Sequence, residues 1–528
     1  MKQHQKKIKF IILFFMLINS FLYSNLLFAS NESKFKSKIF LPELPKEKQE
    51  KLKEIFFSGM GSEDKTLPNI QNPFEMEVTM EEVDNVPEMC QGTETVQAPV
   101  VTYPFHMVDM DLDKSFPDDL LNCLKVKSGR GHRVLFPIHP LNTDPKVAGQ
   151  TRLERWRKKN KAKLQFMPMR NLASRSKVGV PEGVNPFGIK LGTNFVKENI
   201  YQPCKAEMKL DGQYGRARTN YMEKVDKLIG EEKDCKFLKE LGYISLKKSE
   251  EGYLIRDLTP LQDGNIYVPL LSIPYVGTEI AKYKNESFED FWGREFADAM
   301  GRCKAKHLLR YGLQMLTPNS QNMLKRFDTD LNPKEIIYRD NSDSHFVDVV
   351  SKVISPLIDK NIGVQDGGYT KDKDWGNVID SFIHPYSSNT TWRMDEGPRG
   401  INANVLDNWN KRQIVSYIKT INQELGANIV PFNSSNDNDN EVNEFEKKFI
   451  EKNKGGYVEE PDWDDLPYIT AVQKFFESQE GKKKLKDYYQ NLIDKQKELK
   501  KGKTGFKRKR DKAKEKESKG IRKRKKEE

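Results

Sequence analysis

Apolar residues recur at helical spacing through Phe288, Trp292, Phe296, Met300, Cys303, His307 and Tyr311, which predicts one long helix. Ser287 and Asp290 stand before it as a capping-box pattern, and Gly312 and Pro318 oppose its continuation. Two short apolar runs follow, Met323 to Phe327 and Glu335 to Tyr338, on either side of Asp328, Asp330, Asn332 and Pro333. Turn formers between two such runs predict a hairpin, which makes Asn322 at its entrance a neighbour of Asp340 at its exit. An amide oxygen beside a carboxylate suits a hard cation such as Mg²⁺, carried in on nucleotide phosphates. The alternative is a surface hairpin with polar ends.

Elsewhere the pattern is mixed, and the fold class it implies is α+β, with mixed or antiparallel sheets and helices around one cleft. Residues 31–95 read as an extended lead containing one short helix, Lys46 to Phe57, started by Pro45. Apolar density rises from Val96, and Arg133 to Ile138 is a strand ending at His139-Pro140. Residues 151–164 are a basic helix, either a solvated face or, given a partner site, a phosphate contact. Arg170, Arg175, Ser176 and Lys177 cluster ahead of Lys190, which falls in a further strand; such groups can hold a polyphosphate. Tyr253 to Ile280 predicts two or three short strands around Asp263-Gly264, with Asp257 a solvated strand end rather than a catalytic acid. His345 to Ile362 predicts an amphipathic helix, and residues 375–432 a mixed region with Trp375, Trp392 and Trp409 in its core.

The division expected is a 96–285 part carrying the basic loop, a 286–432 part carrying the hairpin, an acidic linker over 433–462, and helices over 463–500. The overall charge of +12 belongs to one end of the 528-residue chain. Residues 482–528 hold 22 Lys and Arg against 8 Asp and Glu, more than the whole surplus, so the rest is slightly acidic. The last 28 residues have almost no apolar side chains and are expected to be a disordered cationic tail able to contact an anionic envelope polymer or nucleic acid.

The other end has an export pattern: Lys2, Lys6, Lys7 and Lys9, then a largely apolar stretch over 10–28, then Ala29-Ser30. The expectation is a signal peptide cleaved near residue 30 and a periplasmic or secreted protein; the alternative is an inner-membrane anchor through residues 10–28. Among Cys90, Cys123, Cys204, Cys235 and Cys303, the nearest pairs in sequence are Cys204–Cys235 and Cys90–Cys123, with Cys303 read as a buried core residue.

Four segments then stand in a recognisable order: LFPIHP ending at His139-Pro140, ASRS at 173–176 with Lys190 after it, YGL to NSQN at 311–322, and Arg339-Asp340. Together they resemble the siderophore synthetases of the aerobactin-synthetase (IucA/IucC) family, over roughly residues 130–345. The resemblance implies an ATP- and Mg²⁺-dependent ligase that activates a carboxylate of citrate or a related polycarboxylate as an acyl-adenylate, for capture by an amine or alcohol. By position, Arg175, Ser176 and Lys190 would hold the phosphates, and Asn322 and Asp340 would flank nucleotide and metal. Asn319, Gln321 and Arg339 would shape the nucleotide pocket, and His139 the substrate side. Arg175, Lys190 and Asp340 would be the catalytic set. The chain departs from the family pattern at Ala173, Thr317 and Asn319, where the family has serine, glutamate and histidine, and at Leu141-Asn142. Those departures keep open a second reading, an exported, non-catalytic relative binding an anionic metabolite or siderophore. A third is an envelope protein acting through its basic tail.

Overall fold

The computed structural model describes residues 45–57, 96–114, 116, 118–128, 131–138, 152–171, 176–179, 187–191, 195–197, 200–202, 208–249, 251–261, 263, 265–315, 320–362, 375–376, 378, 390–391, 394, 400–429 and 467–501. The export segment, the acidic linker, nearly all of the basic tail, and His139, Arg175 and Asn319 lie outside the described residues.

The architecture is α+β. Its largest sheet is wholly antiparallel and built from β1 (Val96–Pro104), β2 (Val108–Leu112), β3 (Lys125–Ser128), β4 (Gly131–Pro137), β5 (Gln165–Asn171), β6 (Ser176–Gly179), β7 (Phe187–Leu191), β11 (Glu240–Leu246) and β12 (Gly252–Asp257). Their order across the sheet is β2-β11-β12-β7-β6-β5-β1-β4-β3. A small ribbon pairs β8 (Phe195–Lys197) with β9 (Ile200–Gln202).

A second sheet has the order β10-β16-β15-β13, from β10 (Cys235–Phe237), β13 (Ile266–Pro269), β15 (Met323–Phe327) and β16 (Pro333–Tyr338). The β15–β16 pair is the hairpin that the alternation of apolar runs and turn residues predicts. A third sheet joins β14 (Leu313–Met315), β17 (Ser344–Val347) and β18 (Trp375–Gly376).

The helices are α1 (Lys46–Phe57), α2 (Asp118–Leu124), α3 (Arg152–Lys159), α4 (Met208–Ile229), α5 (Ile273–Tyr283), α6 (Phe288–Trp292), α7 (Ala299–Tyr311), α8 (Asp348–Ile362), α9 (Ala403–Leu425), α10 (Pro467–Glu477) and α11 over 479–501. Helix α1 joins the core through Leu52 and Ile55, among side chains of α5, α6 and the second sheet. In α3, the Glu251 carboxylate accepts from the otherwise unpaired amides of Arg152 and Leu153, so an acid caps a basic helix.

Three sequence expectations are corrected. The long helix from 288 to 311 is α6 and α7 joined by a π-helical turn, Gly293–Asp298; Arg412 packs at Gly293 and forks onto Asp298 there. Its cap stands as expected, with Ser287 Oγ accepting from the Asp290 amide at 3.1 Å. Second, β12 and β13 fall in different sheets, and Ile273, Val276 and Ile280 bury one face of α5 instead of extending a strand. Third, Cys235 is disulfide-bonded to Cys303 rather than to Cys204, so Cys303 is bridged rather than a free core thiol; the side chains of Cys90 and Cys123 lie outside the described residues. Parallel pairing of β10 with β16 lays Cys235 beneath α7, with Cα atoms 5.3 Å apart.

Helix α7 packs against α9 at Gly301, where a Cβ would overlap the Gln413 carbonyl and press on Ser416. Trp409 of α9 is buried against Phe288 and Phe296, which accounts for one of the three predicted core tryptophans; the side chains of Trp375 and Trp392 lie outside the described residues. No helix among the described residues is long and apolar enough to cross a membrane.

Candidate functional site

The hairpin closes as its register demands. Met323 faces Tyr338, and the Arg339 amide donates to the Asn322 carbonyl at 3.0 Å. The chain then leaves β16 through Asp340, whose backbone is left-handed (φ 70°, ψ 51°), a conformation uncommon for a residue with a Cβ. A short 3₁₀ turn, Asn341–Asp343, follows; Asn341 Nδ2 donates to the Leu238 carbonyl at 2.7 Å, and Leu238 donates to Tyr338 at 2.7 Å. These bonds stitch the strand leading to Glu240 alongside the strand leading to Asp340.

The large sheet supplies the other half. Directly opposed residues of antiparallel strands share a face. Lys190 of β7 is opposite Leu254 of β12, Gly188 is opposite Arg256, and Arg256 is opposite Glu240 of β11. Lys190, Arg256 and Glu240 therefore project from one face, and Gly188 leaves room beside Arg256. Onto that face comes Asp340. Its Oδ2 accepts from Lys190 Nζ at 2.5 Å, and its Oδ1 accepts from Arg256 Nη2 at 2.8 Å and from Ser342 Oγ at 3.3 Å. Arg256 Nε meanwhile donates to Glu240 Oε1 at 3.0 Å. Exposure of the four is 7% for Lys190, 5% for Arg256, 5% for Asp340 and 0% for Glu240.

Burial pushes the Glu240 carboxyl up to about 7; the charge of Asp340 pushes the same way, and Arg256 and Lys190 resist. Its second oxygen, Oε2, is buried without a hydrogen-bond partner and lies where a Cβ on residue 215 would be, so Gly215 is what lets α4 cross there. An acid that is partly neutral at pH 7 suits that orphaned position.

The structure thus brings together Lys190 and Asp340, and sets Asn322 and Arg339, both buried, at the hairpin mouth beside them. Ser176 is the backbone partner of Lys190 in β6, and Gln321 lies in the turn before β15; the side chains of both are outside the described residues. Asp257 is where a strand end should be, accepting from the Thr259 amide. Two members of the cluster, Arg256 and Glu240, were not singled out by sequence. The available signal was a charge adjoining an apolar run in each of two strands, Arg256 in YLIRD and Glu240 at the head of ELGYISL.

The cluster's chemistry fits a bound anion. Two cations on a rigid sheet, one a planar guanidinium, can hold a phosphate or carboxylate through short charge-assisted bonds. No group of three or more His, Cys, Asp or Glu that could hold a metal is found among the described residues. A divalent ion held by Asp340 and Asn322 would need most of its ligands from the substrate, as Mg²⁺ commonly does.

No family model matches the chain, and neither does any curated protein. Solved structures do. The aerobactin synthetase IucA of a hypervirulent Klebsiella pneumoniae is similar at 13% identity and a TM-score of 0.45, over 72% of this chain and 75% of that one. The ATP-bound form of that enzyme is similar at 14% identity and TM-score 0.44, over 66% and 67%. The petrobactin biosynthesis protein AsbB of Bacillus anthracis is similar at 11% identity and TM-score 0.46, over 82% of each chain.

Proposed function

We propose that the protein is a divergent ligase of the siderophore-synthetase type, joining a polycarboxylate to an amine or alcohol at the expense of ATP. The observation that carries this is the meeting of Lys190 and Asp340, 150 residues apart in sequence, on one buried face with Arg256. A resemblance of ordered motifs requires such convergence, and an accidental one gives no reason for it.

ATP, when bound, would supply the activation of the carboxylate. Lys190 and Arg256 would bind its phosphates, and their fixed charges would offset negative charge that grows during phosphoryl displacement. Arg256 is pre-oriented by Glu240, so its guanidinium need not turn when the ligand arrives. Asn322 and Asp340 would hold the divalent ion brought in with the phosphates, and the sheet beneath excludes water from that side.

A second reading, a non-catalytic exported relative that binds an anionic metabolite or siderophore, is favoured by two observations. Thr317 and Asn319 stand where the family resemblance asks for glutamate and histidine. The Cys235–Cys303 disulfide suits an oxidising compartment, where ATP is scarce. The test is citrate-dependent exchange of pyrophosphate into ATP by the purified full chain with Mg²⁺. Exchange that Asp340→Ala abolishes supports the ligase; citrate binding without exchange supports the second reading.

A further inference from the structure

Asp340 sits where a ligand's anionic group would be expected to sit. Three donors converge on its two oxygens: Lys190 Nζ on one, Arg256 Nη2 and Ser342 Oγ on the other. That is the donor set a phosphoryl or carboxylate group asks for. The two sides of the contact are held very differently. Lys190 lies mid-sheet between β6 and β12, and Arg256 is braced from behind by Glu240. Asp340 is on a connection leaving β16, and its own backbone is in the left-handed region. Of the three charged groups, the carboxylate is the one not carried on a strand of the large sheet.

We infer that Asp340 is a placeholder: its carboxylate fills an anion site formed by Lys190 and Arg256, and an anionic group of the ligand displaces it on entry. The inference rests on reading the cluster as an anion site, and it adds Arg256 to that site as a binding residue. Displacement also frees the Asp340 oxygens, so the residue that yields to the anion becomes available to a cation accompanying it. Resting closed, the cations are shielded from adventitious anions, and the carboxylate acts as a competitive internal ligand.

The test uses the full chain, metal-free in chelator, titrated with inorganic pyrophosphate by calorimetry and thermal shift. Asp340→Asn removes the charge with a residue tolerant of the left-handed backbone, and Asp340→Gly removes the whole side chain at a φ glycine adopts freely. Both should bind pyrophosphate about tenfold more tightly than wild type, or better, because the internal competitor is gone. Adding Arg256→Gln to Asp340→Asn should erase the gain. Should either variant fail to fold alone, with two buried cations deprived of the Asp340 carboxylate, pyrophosphate should restore its folding. Pyrophosphate binding no tighter than in wild type, or no rescue of an unfolded variant, overturns the inference. Citrate-dependent exchange is measured in parallel on wild type. If exchange is absent while the gain in pyrophosphate affinity stands, the ligase reading fails and the placeholder survives. If exchange is present without the gain, the reverse holds.

Discussion

Cys235 of β10 is disulfide-bonded to Cys303 of α7, closing a loop of 68 residues and tying the second sheet to the helix above it. Five residues beyond Cys235 the chain reaches Glu240 at the start of β11, so the bridge anchors the strand just ahead of the one that carries one end of the buried ion-pair cluster. In the chain-entropy account, a loop of that length is worth about 4 kcal/mol through restriction of the unfolded state. Cys303→Ser, Cys235→Ser and reductant on wild type should each lower stability by a similar amount, about 2–5 kcal/mol. The double substitution should cost no more than either single one. Denaturant midpoints measure this, and a peptide map without reductant should recover the Cys235 and Cys303 peptides linked.

Glu240 gives the fold a pH dependence of defined sign. Its carboxyl is raised by burial from 4.5 to about 7, so the folded chain binds a proton that the unfolded chain has released. Its contribution to stability is fully present below pH 4.5 and is lost as pH rises through about 7. Glu240→Gln cannot ionise and keeps an oxygen for Arg256. The stability of Glu240→Gln relative to wild type should therefore rise between pH 5 and pH 8, read from urea midpoints at each pH. A constant gap across that range would show that Glu240 titrates normally.

Much of the fold could be read from periodicity, and the failures have physical causes. The β15–β16 hairpin, the Ser287 cap, α1 and strand β4 follow from local pattern, because each is fixed by residues within a few positions of one another. The π-helical turn was not legible: its distinguishing contact is Arg412, more than a hundred residues away, on Asp298. Nor was the Cys235–Cys303 bridge: sequence proximity favoured Cys204 as the partner of Cys235, and the parallel β10–β16 pairing is what puts Cys235 under α7. In the site, Lys190, Asn322 and Asp340 were marked by chemistry and motif order. Arg256 and Glu240 escaped because a charge in a strand reads as solvated until the register shows which face it shares.

At Gly301 helices α7 and α9 are in close contact, and the atom a Cβ there would meet is backbone, the Gln413 carbonyl. Alanine is the better helix former, yet Gly301→Ala should destabilise by about 1–3 kcal/mol through overpacking at this crossing. Thermal or urea unfolding checks it. The ion-pair cluster should be untouched, so anion binding by the folded variant should match wild type.

The account stands on Lys190 and its carboxylate partner forming the mouth of a polyphosphate site. The most direct measurement is calorimetric titration of the full chain with MgATP, wild type against Lys190→Ala. Wild type should bind one equivalent. The variant, its fold verified by circular dichroism, should bind about 10- to 150-fold more weakly, the loss of one charged hydrogen bond. Equal affinity in the two proteins, or no binding by wild type, would contradict the account.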